Sequence, residues 1–113
     1  MKTLIPVIFF LLLSIVFNFS WPNIPDPDSF YHITHAKLYA SQGLTFNQFP
    51  WTQFSAFRQH SADLWYGFHI LLIPFSYFSG TLGIKLAEVL LTFFVLYFLY
   101  YVLKKLNIIY PAL

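Results

Sequence analysis

The chain has 113 residues, of which 58% are hydrophobic and only 9% are charged, whereas about a quarter of the residues of a soluble domain are charged. A soluble fold of this size could not bury so much apolar surface, so the composition excludes an ordinary soluble domain and indicates an integral membrane protein. The net charge of +2, carried on scattered basic residues, excludes a nucleic-acid-binding protein, and the lack of cysteine excludes thiol catalysis, disulfide frameworks and thiolate metal sites.

The first apolar run occupies residues 3–19 and is close to the lower limit of about 17 residues for crossing a bilayer. A secretory signal peptide is the alternative, because Lys2 stands directly before the run. The exit at residues 18–22 lacks small residues spaced for cleavage, and Trp21 suits an anchor at the membrane surface. We therefore predict an uncleaved transmembrane helix at about 3–20.

The segment from about 21 to 62 is a long polar loop, rich in proline and in charged side chains. Asp28 is a preferred residue for the start of a helix and Gly43 for its end, so a short helix is predicted at about 29–42. Its mixture of aromatic and polar residues is typical of an amphipathic helix that lies flat on the membrane surface.

Two further apolar helices are predicted after the loop, at about 63–80 and 83–106, with a tight turn between them. Asp63 caps the first of these, and Pro74 is expected to kink it. The predicted fold is therefore an all-α membrane protein with three transmembrane helices and an amphipathic, interfacial helical loop between the first and second. It forms a single membrane region over residues 1–113.

Two signals for the orientation of the three predicted spans disagree. With three spans, the loop and the carboxyl terminus lie on the same side of the membrane. That side holds four of the six basic residues, which favours the cytoplasm. The first helix usually dominates, however, and its basic start favours a cytoplasmic amino terminus. We predict a multi-pass protein of the cell inner membrane with the 21–62 loop external.

The loop concentrates the residues that could carry chemistry. Three of the four acidic residues and three of the four histidines lie in it or at its edge, namely Asp26, Asp28, Asp63, His32, His35 and His60. On a helix, Asp28, His32 and His35 share one face, which predicts a site for a divalent metal such as Mg, Mn or Zn. Alternatively, Asp28 is only a helix cap and the histidines contact water or lipid headgroups. His69 lies inside an apolar run, where a polar group is expected to face a cavity, a partner helix or a hydrogen-bonding neighbour.

The order of these elements, with Asp26-Pro27-Asp28-Ser29-Phe30-Tyr31-His32 opening a short helix after the first membrane helix, resembles the start of GT-C-type membrane glycosyltransferases. That family includes oligosaccharyltransferase catalytic subunits, protein O-mannosyltransferases and bacterial aminoarabinose transferases. The resemblance implies transfer of a sugar from a polyprenyl-phosphate-linked donor to an acceptor on the outer face of the membrane. It also implies that the first external loop carries the catalytic acid.

Carried over to this sequence, the resemblance makes Asp28 the first candidate catalytic residue and Asp26 the second carboxylate of the pair. Tyr31, His32 and Arg58 are the candidate substrate-binding residues. Members of the family have many more spans, so we expect this chain to be a fragment, inactive alone, that works with missing carboxyl-terminal helices or a partner membrane subunit. The expected partners are therefore membrane lipids, the polyprenyl-phosphate sugar donor and that remaining protein.

Two other classes of protein remain as alternatives. One is a small noncatalytic multi-pass membrane protein that packs against a larger partner. The other is a metal-binding or transport accessory protein that uses Asp28, His32 and His35. An Asp-x-Asp pair at the start of a membrane-surface helix is required by a glycosyltransferase and not by a packing subunit, which favours the enzyme.

Overall fold

The structure, a computed structural model, describes residues 4–48, 63–106 and 108. Within these residues it contains four α-helices and no strand, which confirms the all-α prediction. The helices are α1 (Leu4–Phe19), α2 (Asp28–Gln42), α3 (Tyr66–Ser76) and α4 (Leu82–Lys105).

Of the described helices, only α4 is both long and apolar enough to cross a membrane. Its 24 residues extend about 36 Å, which exceeds the hydrocarbon thickness of about 30 Å. The 16 residues of α1 extend about 24 Å, and the 11 residues of α3 only about 16 Å. The prediction of three spans is therefore not supported.

The largest departure from the predicted helices is at 63–80, where α3 begins at Tyr66 and ends at Ser76. Pro74 lies inside the helix and has no N–H to donate, so the carbonyl of Ile70 cannot receive the usual hydrogen bond from it. We predicted a kink at Pro74 within a longer helix. The helix is shorter than predicted, since α3 ends two residues after the proline, and the kink itself stays a prediction.

The start of α2 also differs from the prediction. We assigned the N-cap to Asp28, but Pro27 occupies that position and α2 begins at Asp28. The carboxylate of Asp26 accepts the backbone N–H of Asp28 at 3.0 Å, so Asp26 stabilises this end of the helix. Pro27 has helical backbone angles, with a φ of −63°, which its ring imposes and which proline commonly adopts in the first turn of a helix. At the other end, Gly43 terminates α2 as expected, with a φ of 96°.

The chain divides into two compact units, of which the first comprises residues 1–23 and 85–113. In this unit α1 runs antiparallel to α4. The side-chain amide of Asn18 donates to the hydroxyl of Thr92 at 3.3 Å, and the ring of Phe10 lies 5.5 Å from that of Tyr100. The later position on α1 therefore contacts the earlier position on α4, and the earlier position on α1 contacts the later one on α4, as in an antiparallel pair.

Lys85 is buried in the first unit and binds the carboxyl-terminal end of α1. Its ammonium group donates to the backbone carbonyls of Asn18, at 3.3 Å, and of Trp21. It also lies 5.3 Å from the centre of the Phe19 ring. Because the last carbonyls of a helix have no partner within the helix, a cation at this end is favourable.

Both helices of the first unit expose large apolar side chains. In α1 they include Phe9, Leu12 and Phe17, and in α4 they include Phe94, Val95 and Phe98. A continuous apolar surface of this kind is rare on a soluble monomer and indicates contact with lipid or with another protein.

The second unit comprises residues 24–84, in which α2 packs against α3. The buried apolar residues of this contact are Ile33, Ala36 and Tyr39 on α2 and Leu72 on α3. The positions on α2 recur at every third residue, as expected for one helix face. Two histidines, His35 and His69, are buried in the same unit, and they define the candidate site.

Candidate functional site

A chain of hydrogen bonds runs through the second unit and joins α2 to α3. It links Tyr39, Asp63, His69 and His32 in that order. His69 is 0% exposed and the Asp63 side chain is 3% exposed. Burial of polar groups to this degree is tolerated only when they are hydrogen-bonded, and each of these groups has a partner.

Asp63 accepts three hydrogen bonds. Its Oδ2 atom accepts from Nδ1 of His69 at 2.6 Å and from the Tyr39 hydroxyl at 2.8 Å, while Oδ1 accepts from the backbone N–H of Trp65 at 2.9 Å. Burial alone would raise the pKa of Asp63, but these three donors outweigh it and lower the pKa. The carboxyl group is therefore ionised at neutral pH. Burial, together with the hydrogen bond to Asp63, raises the pKa of Tyr39, so the Tyr39 hydroxyl keeps its proton.

His69 connects Asp63 to His32. Its Nε2 atom lies 2.8 Å from Nδ1 of His32, and its Nδ1–H donates to Asp63, which makes Nε2 the acceptor in the neutral ring. His32 then donates through Nδ1. Burial and the neighbouring His69 lower the pKa of His32, while the charges of Asp28, Asp26 and Asp63 partly oppose that shift.

The ring of His35 packs on one face of the His69 ring. The two rings are stacked, with centres 4.4 Å apart and planes 9° from parallel. His35 is 1% exposed, and burial is the main cause that lowers its pKa to about 4. Its imidazole is therefore neutral at pH 7 and retains a lone pair on one ring nitrogen.

The side chains of His35, Asp63 and His69 can also serve as metal ligands. One ligand atom from each lies within 4.8 Å of the other two. Two imidazole nitrogens and one carboxylate oxygen are a ligand set that suits a divalent transition metal such as zinc.

The sequence predicted part of this cluster. His32 and His35, two of the three predicted metal ligands, both contact His69 on α3. The third, Asp28, is exposed at the start of α2 together with Asp26. Its role as a ligand stays a prediction, as do the catalytic roles of both carboxylates.

Of the predicted substrate-binding residues, Tyr31 lies beside the cluster. Its ring meets the edges of the His32 and His35 rings at centre distances of 5.2 and 4.4 Å. Arg58 lies outside the described residues, as does His60.

Sequence analysis missed the partnership of Asp63, His69 and Tyr39. The sequence predicts Asp63 as a helix cap and places it among the polar residues of the loop, but it does not pair Asp63 with His69 or Tyr39. In the structure Trp65 occupies the N-cap position, and the Asp63 carboxylate accepts the N–H of Trp65 and binds both side chains. The available signal was His69 itself, a polar residue in an apolar run, which required a polar partner. The identity of that partner depends on how residues 63–65 fold back over the start of α3, and periodicity does not reveal it.

Comparison with known protein families, with curated proteins and with solved structures gives no match, so no relative supplies a function for this site.

Proposed function

We propose that the chain is the amino-terminal part of a membrane glycosyltransferase that transfers a sugar from a polyprenyl-phosphate-linked donor to an acceptor on the outer face. The observation that carries the proposal is the pair of exposed carboxylates, Asp26 and Asp28, at the start of α2. Asp26 stabilises the turn by accepting the N–H of Asp28, and the Asp28 residue itself is exposed at the surface.

In this reaction the acceptor hydroxyl gives its proton to the Asp28 carboxylate as its oxygen attacks the anomeric carbon of the sugar. The bond between that carbon and the phosphate oxygen breaks, and the polyprenyl phosphate leaves with the electron pair. Tyr31 and His32 stand one helical turn beyond Asp28 on α2, so they are suitably spaced along the helix to contact the sugar or the acceptor.

We further propose that α1 crosses the membrane beside α4 as its antiparallel partner, with the bilayer thinned locally to match the roughly 24 Å length of α1. Their mutual contacts and exposed apolar side chains support this arrangement. With two crossings, Lys104 and Lys105 at the end of α4 lie on the side where the chain begins, away from the loop. Each side then holds three of the six basic residues, because Lys85 at the start of α4 lies on the loop side. The excess of basic residues on the loop side disappears, so their distribution no longer opposes an external loop.

The proposal is tested by transfer activity in membranes that contain the chain with the rest of its enzyme. Membranes are incubated with a panel of polyprenyl-phosphate-linked hexoses and pentoses, and the release of polyprenyl phosphate is measured. We expect Asp28→Asn to reduce release to background, because an amide cannot accept the proton, while the amount of protein in the membrane stays unchanged.

Lys37→Gln is the matched control, because Lys37 is exposed on the same helix and the substitution also removes one charge. It should leave release unchanged. Full activity in Asp28→Asn would show that this carboxylate is not the base and would overturn the assignment.

The second candidate is a noncatalytic multi-pass protein that packs against a larger membrane partner. The exposed apolar faces of α1 and α4 favour it, because a partner helix can cover them as well as lipid can. This function predicts no release of polyprenyl phosphate by the unmodified protein for any sugar in the panel.

A further inference from the structure

The second unit contains three potential metal ligands in one buried cluster, contributed by three parts of the chain. His35 comes from α2, His69 from α3, and Asp63 from the segment before α3. All three side chains are nearly inaccessible to solvent. Surface groups of acidic residues and histidine are common without a metal, whereas two buried histidines beside a buried carboxylate require either an ion or a complete set of hydrogen bonds.

The ligand atoms in the cluster are close enough to converge on one ion when the side chains rotate. Zinc binds imidazole nitrogen and carboxylate oxygen at about 2.0–2.2 Å, which places neighbouring ligand atoms roughly 3.3 Å apart. The ligand atoms of His35, Asp63 and His69 lie within 4.8 Å of one another. Binding an ion replaces the 2.6 Å hydrogen bond between His69 and Asp63 and turns the His35 ring out of its stack on His69. Three protein ligands leave the fourth position open to water or to a further ligand.

The surrounding hydrogen bonds have the pattern that supports metal ligands. When Nδ1 of His69 binds an ion, its proton resides on Nε2, and Nε2 donates to Nδ1 of His32 at 2.8 Å. Asp63 is held from behind by the Tyr39 hydroxyl and by the N–H of Trp65. Partners of this kind fix the orientation of metal-ligating histidines and carboxylates.

We propose that His35, Asp63 and His69 form a zinc site that fastens α2 to α3, with His32 and Tyr39 as positioning residues. The proposal goes beyond sugar transfer and does not depend on it. It keeps His35 of the predicted ligand set and replaces Asp28 and His32 by Asp63 and His69.

The test uses the full chain without a histidine tag, purified in detergent, stripped with a chelator and reloaded with Zn²⁺. We expect one zinc ion per chain after gel filtration, measured by mass spectrometry of the metal, and a higher melting temperature than in the stripped protein. Co²⁺ in place of Zn²⁺ should give the intense visible absorption of a tetrahedral nitrogen and oxygen site. The cobalt spectrum needs no variant, so a variant that fails to fold cannot obscure the result.

Three variants define the ligands. Loss of a residue that supports a metal ligand weakens metal affinity by roughly 10- to 100-fold. Loss of a ligand itself should cost more, so we expect a larger decrease in zinc affinity from each of His35→Gln, Asp63→Asn and His69→Gln. His32→Gln should weaken it within that smaller range. Circular dichroism of each variant establishes that the helices remain.

Asp28→Asn is the control and should keep the affinity of the unmodified protein. This variant separates the two proposals, because it removes the proposed base for sugar transfer and leaves the zinc site intact. The site is refuted if the folded, unmodified chain takes up neither Zn²⁺ nor Co²⁺, in which case the cluster is held by hydrogen bonds alone. Equal loss of zinc in Asp28→Asn and His35→Gln would show that the exposed carboxylate of Asp28 binds the ion, and would also refute the proposed set of ligands.

Discussion

Tyr39 shows how a single side chain serves both packing and polarity in the second unit. Its ring is buried against α3, 5.4 Å from the ring of Tyr66, and its hydroxyl donates to Asp63. Asp63 accepts two further hydrogen bonds, so the carboxylate remains partly satisfied when one donor is removed. The contribution of Tyr39 can therefore be measured without leaving an unpaired buried charge.

We predict that Tyr39→Phe lowers the free energy of unfolding by about 1.5–3 kcal/mol, the value of a hydrogen bond to a charged group. The measurement is denaturant unfolding in mild detergent with a chelator present, followed by circular dichroism. Tyr77→Phe is the control, because Tyr77 is 75% exposed, and it should change the free energy by less than about 0.5 kcal/mol. Equal effects of the two substitutions would contradict a stabilising role for the Tyr39 hydroxyl.

At the scale of helices, the connection between α3 and α4 depends on a close approach of two backbones. A Cβ atom added at Gly83 would overlap the backbone oxygen of Phe75. A backbone oxygen near the end of α3 cannot move aside as the tip of a long side chain can. Glycine is therefore required at this position in the first turn of α4.

We predict that Gly83→Ala destabilises the protein by about 1–3 kcal/mol, as expected for forcing an extra carbon into a packed contact. Gly67→Ala is the matched control on α3, because a Cβ added at Gly67 meets nothing within 4 Å. That substitution should instead stabilise the helix by about 0.5–1 kcal/mol. Unfolding of the two variants under the same conditions decides the matter, and a stabilising Gly83→Ala would contradict the close approach.

At the scale of the whole molecule, the two units differ in which side chains they bury and which they expose. The second unit buries a hydrogen-bonded cluster between α2 and α3, whereas the first unit exposes the apolar faces of α1 and α4. The number of membrane crossings is thus the main question about the complete fold. The chain contains no cysteine, so single cysteines can be introduced as unique labels.

We predict that Leu4→Cys and Leu106→Cys lie on one side of the membrane and Ser41→Cys on the other, as two crossings require. All three residues are exposed. A membrane-impermeant maleimide should label Ser41→Cys in intact cells and label the other two only after permeabilisation. Labelling of Leu106→Cys together with Ser41→Cys would indicate three crossings, and labelling of Leu4→Cys together with Ser41→Cys would indicate α4 alone.

The sequence by itself determined that the protein is helical, the approximate positions of α1, α2 and α4, and that α4 can cross a membrane. These properties follow from local signals: the length of an apolar run, the glycine that ends α2, and the acidic and proline residues that begin it. Helical spacing also predicts that His32 and His35 lie on the same side of α2.

Only the tertiary structure decided what those histidines meet. The partnership of His35 with His69, and of His69 with Asp63, joins residues from three parts of the chain through the packing of α2 on α3. Periodicity describes the faces of a helix, but the contacts between faces depend on docking geometry, and the buried cluster consists of such contacts.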